Sequence, residues 1–265
     1  MQIEVAILST MQTTKKYTDM YDFKNKTYLV TGANSGMGKC VTKMLIEAGA
    51  VVFMVDKNTD NISIIASEAS NGSDFMAFDL NQPSRIHEIF DDAKAKGIHF
   101  DGMVYCAGIS PLMSLQEFSL ETLQLAFNIN LVSFVAMLSH FTDPEVTNDN
   151  SAIVGISSNA ASYGGNRQYA YSATKAAMNL VVKSSVKELA LRKIRVNTVM
   201  PSTTNTEMVA ELRKKSDAID LNVKYKQPFG IIEPENVAKT ILFLLSDESK
   251  AMSGVCVPVN NGEVY

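Results

Sequence analysis

Tyr171 and Lys175 stand four residues apart in the segment YSATK, and Ser158 lies thirteen residues before the tyrosine, just past the apolar run 152–156. A phenol, an ammonium and a hydroxyl in this arrangement can pass a proton to or from a carbinol oxygen. If residues 164–195 are largely helical, positions four apart share a face and the phenol and the ammonium project together. The cation is then expected to lower the phenol from its usual pKa of about 10 toward neutrality. A tyrosine shifted that way is a usable general acid or base. The letters YxxxK are a short pattern, and a surface Tyr and Lys on an amphipathic helix would spell the same thing. What decides is whether the rest of the chain builds a site around them.

From residue 26 onward, short β-branched runs alternate with longer helical patterns. Apolar runs at 27–30, 51–55, 74–78, 101–106, 152–156, 194–199 and 255–259 read as strands. Helical patterns fall at 39–48, 60–70, 83–95, 168–191 and 234–245, and two helical stretches cover 119–141, with Pro83 and Pro234 at helix starts. The strands are near-continuously apolar, as expected of strands covered on both faces. Such repetition implies a parallel sheet with right-handed crossovers. The expected fold is α/β: a three-layer, doubly wound Rossmann-like domain with a seven-stranded parallel sheet. Its ligands should bind beyond the carboxyl ends of the strands, where the strand order switches. Residues 1–22 read as a loose N-terminal arm and 23–265 as one catalytic domain.

The 265 residues carry a net charge of −4 and are 46% hydrophobic, enough for one large core. No strongly basic stretch offers a counterion-releasing surface, so a nucleic-acid partner is not expected. Apolar runs such as 241–245 read as too short to cross a bilayer, so no membrane partner is expected either. Residues 1–10 carry Glu4 and no basic n-region, which makes a poor signal peptide. Cys40, Cys106 and Cys256 are widely spaced and odd in number, which fits a reducing compartment and a cytoplasmic location. His87, His99 and His140 match no metal-ligand spacing.

The first strand runs into TGANSGMG, which puts Gly32, Gly36 and Gly38 ahead of a helix. A turn of this kind allows close approach to a pyrophosphate, and the helix N-terminus supplies amides and a positive dipole. Three glycines also permit tight strand–helix packing without any ligand. Asp56, ending the second strand about twenty residues later, favours the ligand, because a carboxylate there can accept from both hydroxyls of an adenosine ribose. It would repel a 2′-phosphate, so NAD(H) is favoured. Lys57 next to it partly offsets the repulsion, and NADP(H) stays open. Asp79, ending the third strand, is positioned to reach the adenine amino group or to cap the following helix.

The glycine spacing is GxxxGxG rather than GxGxxG, and joined to Ser158, Tyr171 and Lys175 it resembles the short-chain dehydrogenase/reductase family. The resemblance runs from about residue 24 to 262. It implies that Gly32, Asn34, Ser35, Gly36 and Met37 hold the cofactor, with Asp56, Asp79, Leu80, Cys106, Ala107 and Gly108 lining its path. Asn130 in NINL matches the asparagine that completes the family's Asn–Ser–Tyr–Lys tetrad. In VMPSTTNTEM, Thr206 matches the residue contacting the nicotinamide carboxamide, with Pro201 and Thr204 on the same loop. Tyr171 and Lys175 also touch the cofactor by this implication. Four departures stand out. The family's NNAG is Tyr105-Cys106-Ala107-Gly108, the glycine after Pro201 is Ser202, the asparagine two before the serine pair is Gly155, and VNNG replaces an acidic-glycine-glycine ending.

The implied activity is hydride transfer between a nicotinamide cofactor and a secondary alcohol or ketone. Tyr171 acts as general acid or base, Lys175 holds the nicotinamide ribose, Ser158 orients the substrate oxygen and Asn130 holds a relay water. Ser110, Met113, Ser158, Asn159, Gln168, Tyr171 and Met208 are expected to line the substrate pocket, under a lid at about 203–226. A small polyol or sugar, a hydroxy acid derivative and a hydroxysteroid fit equally. The acidic connection 142–150 offers no landing site for an acyl carrier protein, which leaves a 3-oxoacyl thioester reductase as an alternative. A cofactor-sensing or assembly protein without turnover, and a lyase or epimerase using a transient oxidation, are the other readings. Helices rich in Ala, Leu, Val and Met over more than one face suggest a partner copy. By resemblance the assembly is a homotetramer or homodimer.

Overall fold

The computed structural model describes residues 21–214, 223–224 and 226–263. Most of the expected arm (1–22) and part of the expected lid (203–226) lie outside the described residues.

Strands β1 (Thr27–Thr31), β2 (Val51–Asp56), β3 (Asp74–Ala77), β4 (Phe100–Tyr105), β5 (Thr147–Ile156), β6 (Arg195–Pro201) and β7 (Cys256–Val259) form one sheet. Their order is β3-β2-β1-β4-β5-β6-β7 and every pairing is parallel. The order reverses between β1 and β4, so the crevice of the doubly wound fold opens beyond the ends of those two strands. Helices α1 (Gly36–Glu47), α2 (Asp60–Glu68), α3 (His87–Ala95), α4 (Leu120–Phe127), α5 (Ser133–His140), α6 (Ala160–Tyr163), α7 (Tyr169–Leu189), α8 (Glu207–Arg213) and α9 (Pro234–Leu245) supply the outer layers and the crossovers.

Alternation along each strand divides the core in two. Tyr28 and Val30 of β1 pack with Val41 and Leu45 of α1 and with Val237 and Ile241 of α9. Leu29, one residue between them, packs on the other face with Ile89 and Phe90 of α3, Phe134 of α5 and Met178 of α7. Strands buried on both faces explain the unbroken apolar runs.

Several boundaries differ from the sequence pattern, among them the helix expected from Pro83, which opens with a 3-10 turn at Pro83–Arg85 and becomes α-helical at His87. Helix α1 begins at Gly36 rather than 39, because the glycine turn itself forms its first residues. Strand β5 begins at Thr147 rather than 152, since its polar start pairs with Phe100 across a register shift. The two helical stretches expected over 119–141 are joined into one run by a π-helical segment, Asn128–Val132. That run corrects one expectation: Leu120–His140, with a mean hydropathy of 1.5, is long and apolar enough to cross a bilayer. Alanine 126, Phe134, Met137 and Leu138 are buried, whereas Leu125, Val132 and Val135 are exposed.

Candidate active site

The glycine turn is built by close contact. Gly32 has φ +65°, and a Cβ there would meet the Ala107 backbone at 2.8 Å. At Gly38 a Cβ would stand 2.1 Å from the Gly32 carbonyl oxygen, so the helix can only pack this tightly on the turn if the position is glycine. Asp56 faces the same turn: Oδ2 accepts from the Asn34 N–H at 3.1 Å and Oδ1 from the Asn58 N–H at 3.1 Å. Asp56, Lys57, Asp79, Leu80, Gly32, Ser35, Ala107 and Gly108 line one cavity of about 170 Å³ in the crevice between β1 and β4. Asp79 also has the local role considered for it, with Oδ1 accepting from the Asn81 N–H at 2.9 Å. Two expected cofactor residues direct their side chains elsewhere. Asn34 Oδ1 accepts from the Asn61 and Ile62 N–H groups at the start of α2. Cys106 packs under the turn, its Cβ 3.2 Å from where a Gly38 side chain would begin.

At the end of β5 the two serines separate by role. The Ser157 hydroxyl donates to the Lys175 carbonyl at 3.0 Å and ties α7 to the strand. Ser158 instead lines a second cavity, of about 120 Å³, together with Tyr171, Asn159, Gln168, Ser110, Met37, Pro201, Thr204, Thr206 and Met208. Gln168 donates to the Ser110 hydroxyl at 3.1 Å, which fixes both on that wall. Met113, expected in the lining, is buried away from it, and its sulfur accepts from the Ser119 N–H. Lys175 lies behind Tyr171, its Nζ 5.8 Å from the ring centre, and donates to the Ile156 carbonyl at 2.7 Å. A side chain built on Gly108 would meet Lys175 Nζ at 3.2 Å and Asn130 Oδ1 at 3.3 Å. Lys175 therefore reaches from the Tyr171 cavity to the loop that lines the Asp56 cavity.

The expected fall in the phenol pKa is corrected by the burial of the pair. Burial pushes the Tyr171 phenol up from its ordinary value, with the Ser158 hydroxyl pulling the other way. Burial likewise pushes the Lys175 ammonium down, to about 8. Both groups are driven toward their neutral forms, because each would lose solvation as an ion. The phenol thus keeps its proton.

Asn130 sits in the π-helical segment, fully buried. Its Oδ1 accepts from the Ile109 N–H at 2.8 Å, and its Nδ2 donates to the Ile109 carbonyl at 2.9 Å and the Thr174 hydroxyl at 3.0 Å. The amide clamps the loop after β4 onto α7. Tyr105, one of the departures from the family pattern, holds the same segment: its hydroxyl donates to the Ile129 carbonyl. Gly155, another departure, is closely packed: a Cβ would meet the Met178 and Phe134 side chains at 3.3–3.4 Å and displace them slightly.

On its far side, the glycine turn is met by α8. Thr206 caps α8, and its methyl group lies 3.4 Å from where a Gly36 side chain would begin. Glu207 Oε2 accepts from the Gly36 N–H at 2.9 Å and Oε1 lies 3.4 Å from Lys39 Nζ. Its own N–H and that of Gly36 hold this carboxyl below the usual range. A larger groove of about 590 Å³ lies outside this contact, between α1, α8 and the start of α9. It holds neither Ser158 nor Tyr171, so size alone does not mark the chemistry.

A family model described as enoyl-(acyl carrier protein) reductase matches residues 32–263. The chain belongs to the short-chain dehydrogenase/reductase family. It is 32% identical over 91% of its length to a 3-oxoacyl-[acyl-carrier-protein] reductase of Thermotoga maritima, covering 98% of that protein. It is 30% identical over 88% of its length to an L-xylulose reductase of Bos taurus, covering 94% of it. Among solved structures, a short-chain dehydrogenase/reductase of Brucella melitensis matches with a TM-score of 0.85 and 26% identity, covering 92% of this chain and 99% of that one. A short-chain dehydrogenase/reductase acts as an oxidoreductase and binds NAD(P)(H). Of the residues that spacing and resemblance single out, Gly32, Ser35, Asp56, Asp79, Leu80, Ala107 and Gly108 line one cavity. Met37, Ser110, Ser158, Asn159, Gln168, Tyr171, Pro201, Thr204, Thr206 and Met208 line the other, while Asn34, Gly36, Cys106, Met113, Asn130 and Lys175 line neither. What sequence reasoning missed is Glu263. Its buried carboxylate reaches Asn159 and Ser202 behind the second cavity.

Proposed function

We propose that this chain interconverts a secondary alcohol and its ketone, with Tyr171 as proton donor in reduction and proton acceptor in oxidation. The observation that carries the reading is the position of Lys175 between two cavities, one lined by Ser158 and Tyr171 and the other by Asp56 and the glycine turn. The dinucleotide, when bound, supplies or accepts the hydride. Gly32, Ser35, Gly36 and Met37 would hold its pyrophosphate, Asp56 its ribose, Asp79 and Leu80 its adenine side, and Pro201, Thr204 and Thr206 its nicotinamide end. Ser158 donates to the substrate oxygen, which builds negative charge as the carbonyl is reduced. Lys175 stabilises the phenolate left when Tyr171 gives up its proton. Asn130 holds the Ile109 loop and α7 in register and so keeps Gly108 and Lys175 together.

The preferred cofactor in this reading is NAD(H). Asp56 lines the cavity with its carboxylate turned to the loop, and a 2′-phosphate there would meet like charge. A second copy of the chain is the proposed cover for Leu125, Val132 and Val135 on the α4–α5 run and Leu180 on α7, all exposed. A second reading, reduction of a 3-oxoacyl thioester, is favoured by the 32% identity to the Thermotoga maritima protein.

A screen of ketones and alcohols against NADH, NADPH and their oxidised forms tests both readings, with acetoacetyl-CoA among the ketones. Consumption of NADH with a simple ketone, faster than of NADPH, supports the first. Turnover of acetoacetyl-CoA alone supports the second. Binding of NADH without any turnover would overturn both.

A further inference from the structure

Two departures from the family pattern meet in space. Ser202 replaces the glycine after β6, and Glu263 follows the altered VNNG ending. The Ser202 hydroxyl donates to Glu263 Oε2, and Asn159 Nδ2 donates both to that oxygen at 3.0 Å and to the Ser202 oxygen at 2.9 Å. Glu263 is 1% exposed and Asn159 3%, so this is a closed polar cluster rather than a surface contact. Asn159 and Ser202 line the Ser158–Tyr171 cavity, and Glu263 stands behind them.

The direction of these hydrogen bonds sets what the wall can offer. A carboxylate only accepts, so the Asn159 amide must turn its nitrogen to Glu263. Both amide hydrogens and the serine hydrogen are then engaged within the cluster. What remains on the cavity side is Asn159 Oδ1, which no donor reaches among the described residues. Glu263 Oε1 and Gln227 Oε1 are buried acceptors that no donor reaches among the described residues. Gln227 Nε2 meanwhile donates to the Thr203 carbonyl on the same loop as Ser202. Among the described residues no Lys or Arg lines this cavity. Lys175 lies behind Tyr171, and Lys226 stands over the Tyr163 ring.

We infer that Glu263, by engaging the donors of Asn159 and Ser202, leaves Asn159 Oδ1 as an acceptor on this part of the cavity wall, which favours neutral hydroxyl-bearing ketones and alcohols over carboxylates. The inference rests on the oxidoreductase reading and narrows its substrate class to hydroxy ketones and polyols. Glu263 is a positioning residue: it fixes which atom of Asn159 faces the substrate. A hydroxyl beside the reacting carbon donates to Asn159 Oδ1. A carboxylate in its place finds no donor on Asn159 or Ser202 and meets like charge across one side chain.

The test uses three ketones of one shape: 4-hydroxybutan-2-one, pentan-2-one and acetoacetate. Each is measured with the full chain for turnover with NADH and for binding to the protein–NADH complex by nicotinamide fluorescence. The hydroxy ketone is expected to exceed pentan-2-one about tenfold in kcat/KM, and acetoacetate about a hundredfold or more. Glu263→Gln gives Asn159 a partner that can also donate, so the amide can turn. The acetoacetate discrimination should then shrink at least tenfold, with most of the change in KM rather than kcat. Ser202→Gly releases one Asn159 hydrogen and should shrink it in the same direction if Glu263→Gln does not fold. Turnover of all three ketones without this order in the wild type, or a preference for acetoacetate, overturns the inference alone. The order seen in binding but with no turnover of any ketone sinks the oxidoreductase reading and leaves the wall standing. Neither binding nor turnover with any of the three refutes both.

Discussion

Lys175 carries a consequence for stability that can be worked through from its burial. Its amine is 3% exposed, has the Ile156 carbonyl as acceptor, and is pushed by burial from 10.5 down to about 8. Between pH 8 and about 10.5 the folded chain has released this proton while the unfolded chain still holds it. Raising the pH through that window therefore favours the folded state through this group. Each pH unit contributes about 1.4 kcal/mol, so the whole window is worth about 3 kcal/mol. Other buried groups act in the opposite direction. Burial raises Tyr28, Tyr105 and Cys106, which ionise first in the unfolded chain as the pH rises. The Lys175 contribution is thus read as a difference between the wild type and Lys175→Met. Methionine keeps most of the packing, and its loss of the Ile156 hydrogen bond adds an offset in which the titration itself plays no part. Urea unfolding at several pH values, cofactor-free, gives both curves. The wild-type-minus-variant stability should climb by up to about 3 kcal/mol from pH 8 to 10.5. A flat or falling difference would mean that the amine stays charged in the fold and that the argument from burial is wrong.

Three further outcomes follow from the same geometry. Tyr171→Phe removes the proton donor from the Ser158 cavity and should cut kcat about 100- to 10,000-fold, with NADH affinity kept within a few-fold; steady-state rates and fluorescence titration check the two halves separately. Glu207→Gln takes an anion off the Gly36 N–H and from beside Lys39, at the helix start proposed for the pyrophosphate. NADH should bind about two- to tenfold more tightly in titration, and an unchanged Kd would show that this carboxylate does not compete. Gly38→Ala sets a methyl group 2.1 Å from the Gly32 carbonyl, so the turn must open. Unfolding should show a loss of about 1–3 kcal/mol, and NADH affinity should fall at least tenfold.

The features legible in the sequence were those with a local signal. Apolar runs marked the strands because each is buried on both faces, and Pro234 marked the first residue of α9. Ser158 was separable from Ser157 by its distance to Tyr171, and the structure gives the reason: Ser157 is engaged by the Lys175 carbonyl. The π-helical segment carries no comparable mark. It depends on Tyr105 reaching it from β4 and on Asn130, within the segment, reaching the Ile109 loop and Thr174 of α7. The direction of the Tyr171 shift is not legible in the sequence, because spacing reports a neighbouring charge but not the depth of burial that disfavours the phenolate itself. Glu263 escaped notice because it lies 61 residues from Ser202 and 104 from Asn159. The two oddities of Ser202 and the VNNG ending were each visible alone, and only the fold makes them one cluster.

The central claim is that hydride moves to a carbonyl carbon whose oxygen Tyr171 protonates. Reducing a ketone with NADH deuterated at both C4 positions tests it most directly. The account predicts one deuterium per turnover on the new carbinol carbon in the wild type, with Tyr171→Phe forming almost no product. Deuterium lost to water, or full turnover in the variant, would contradict it.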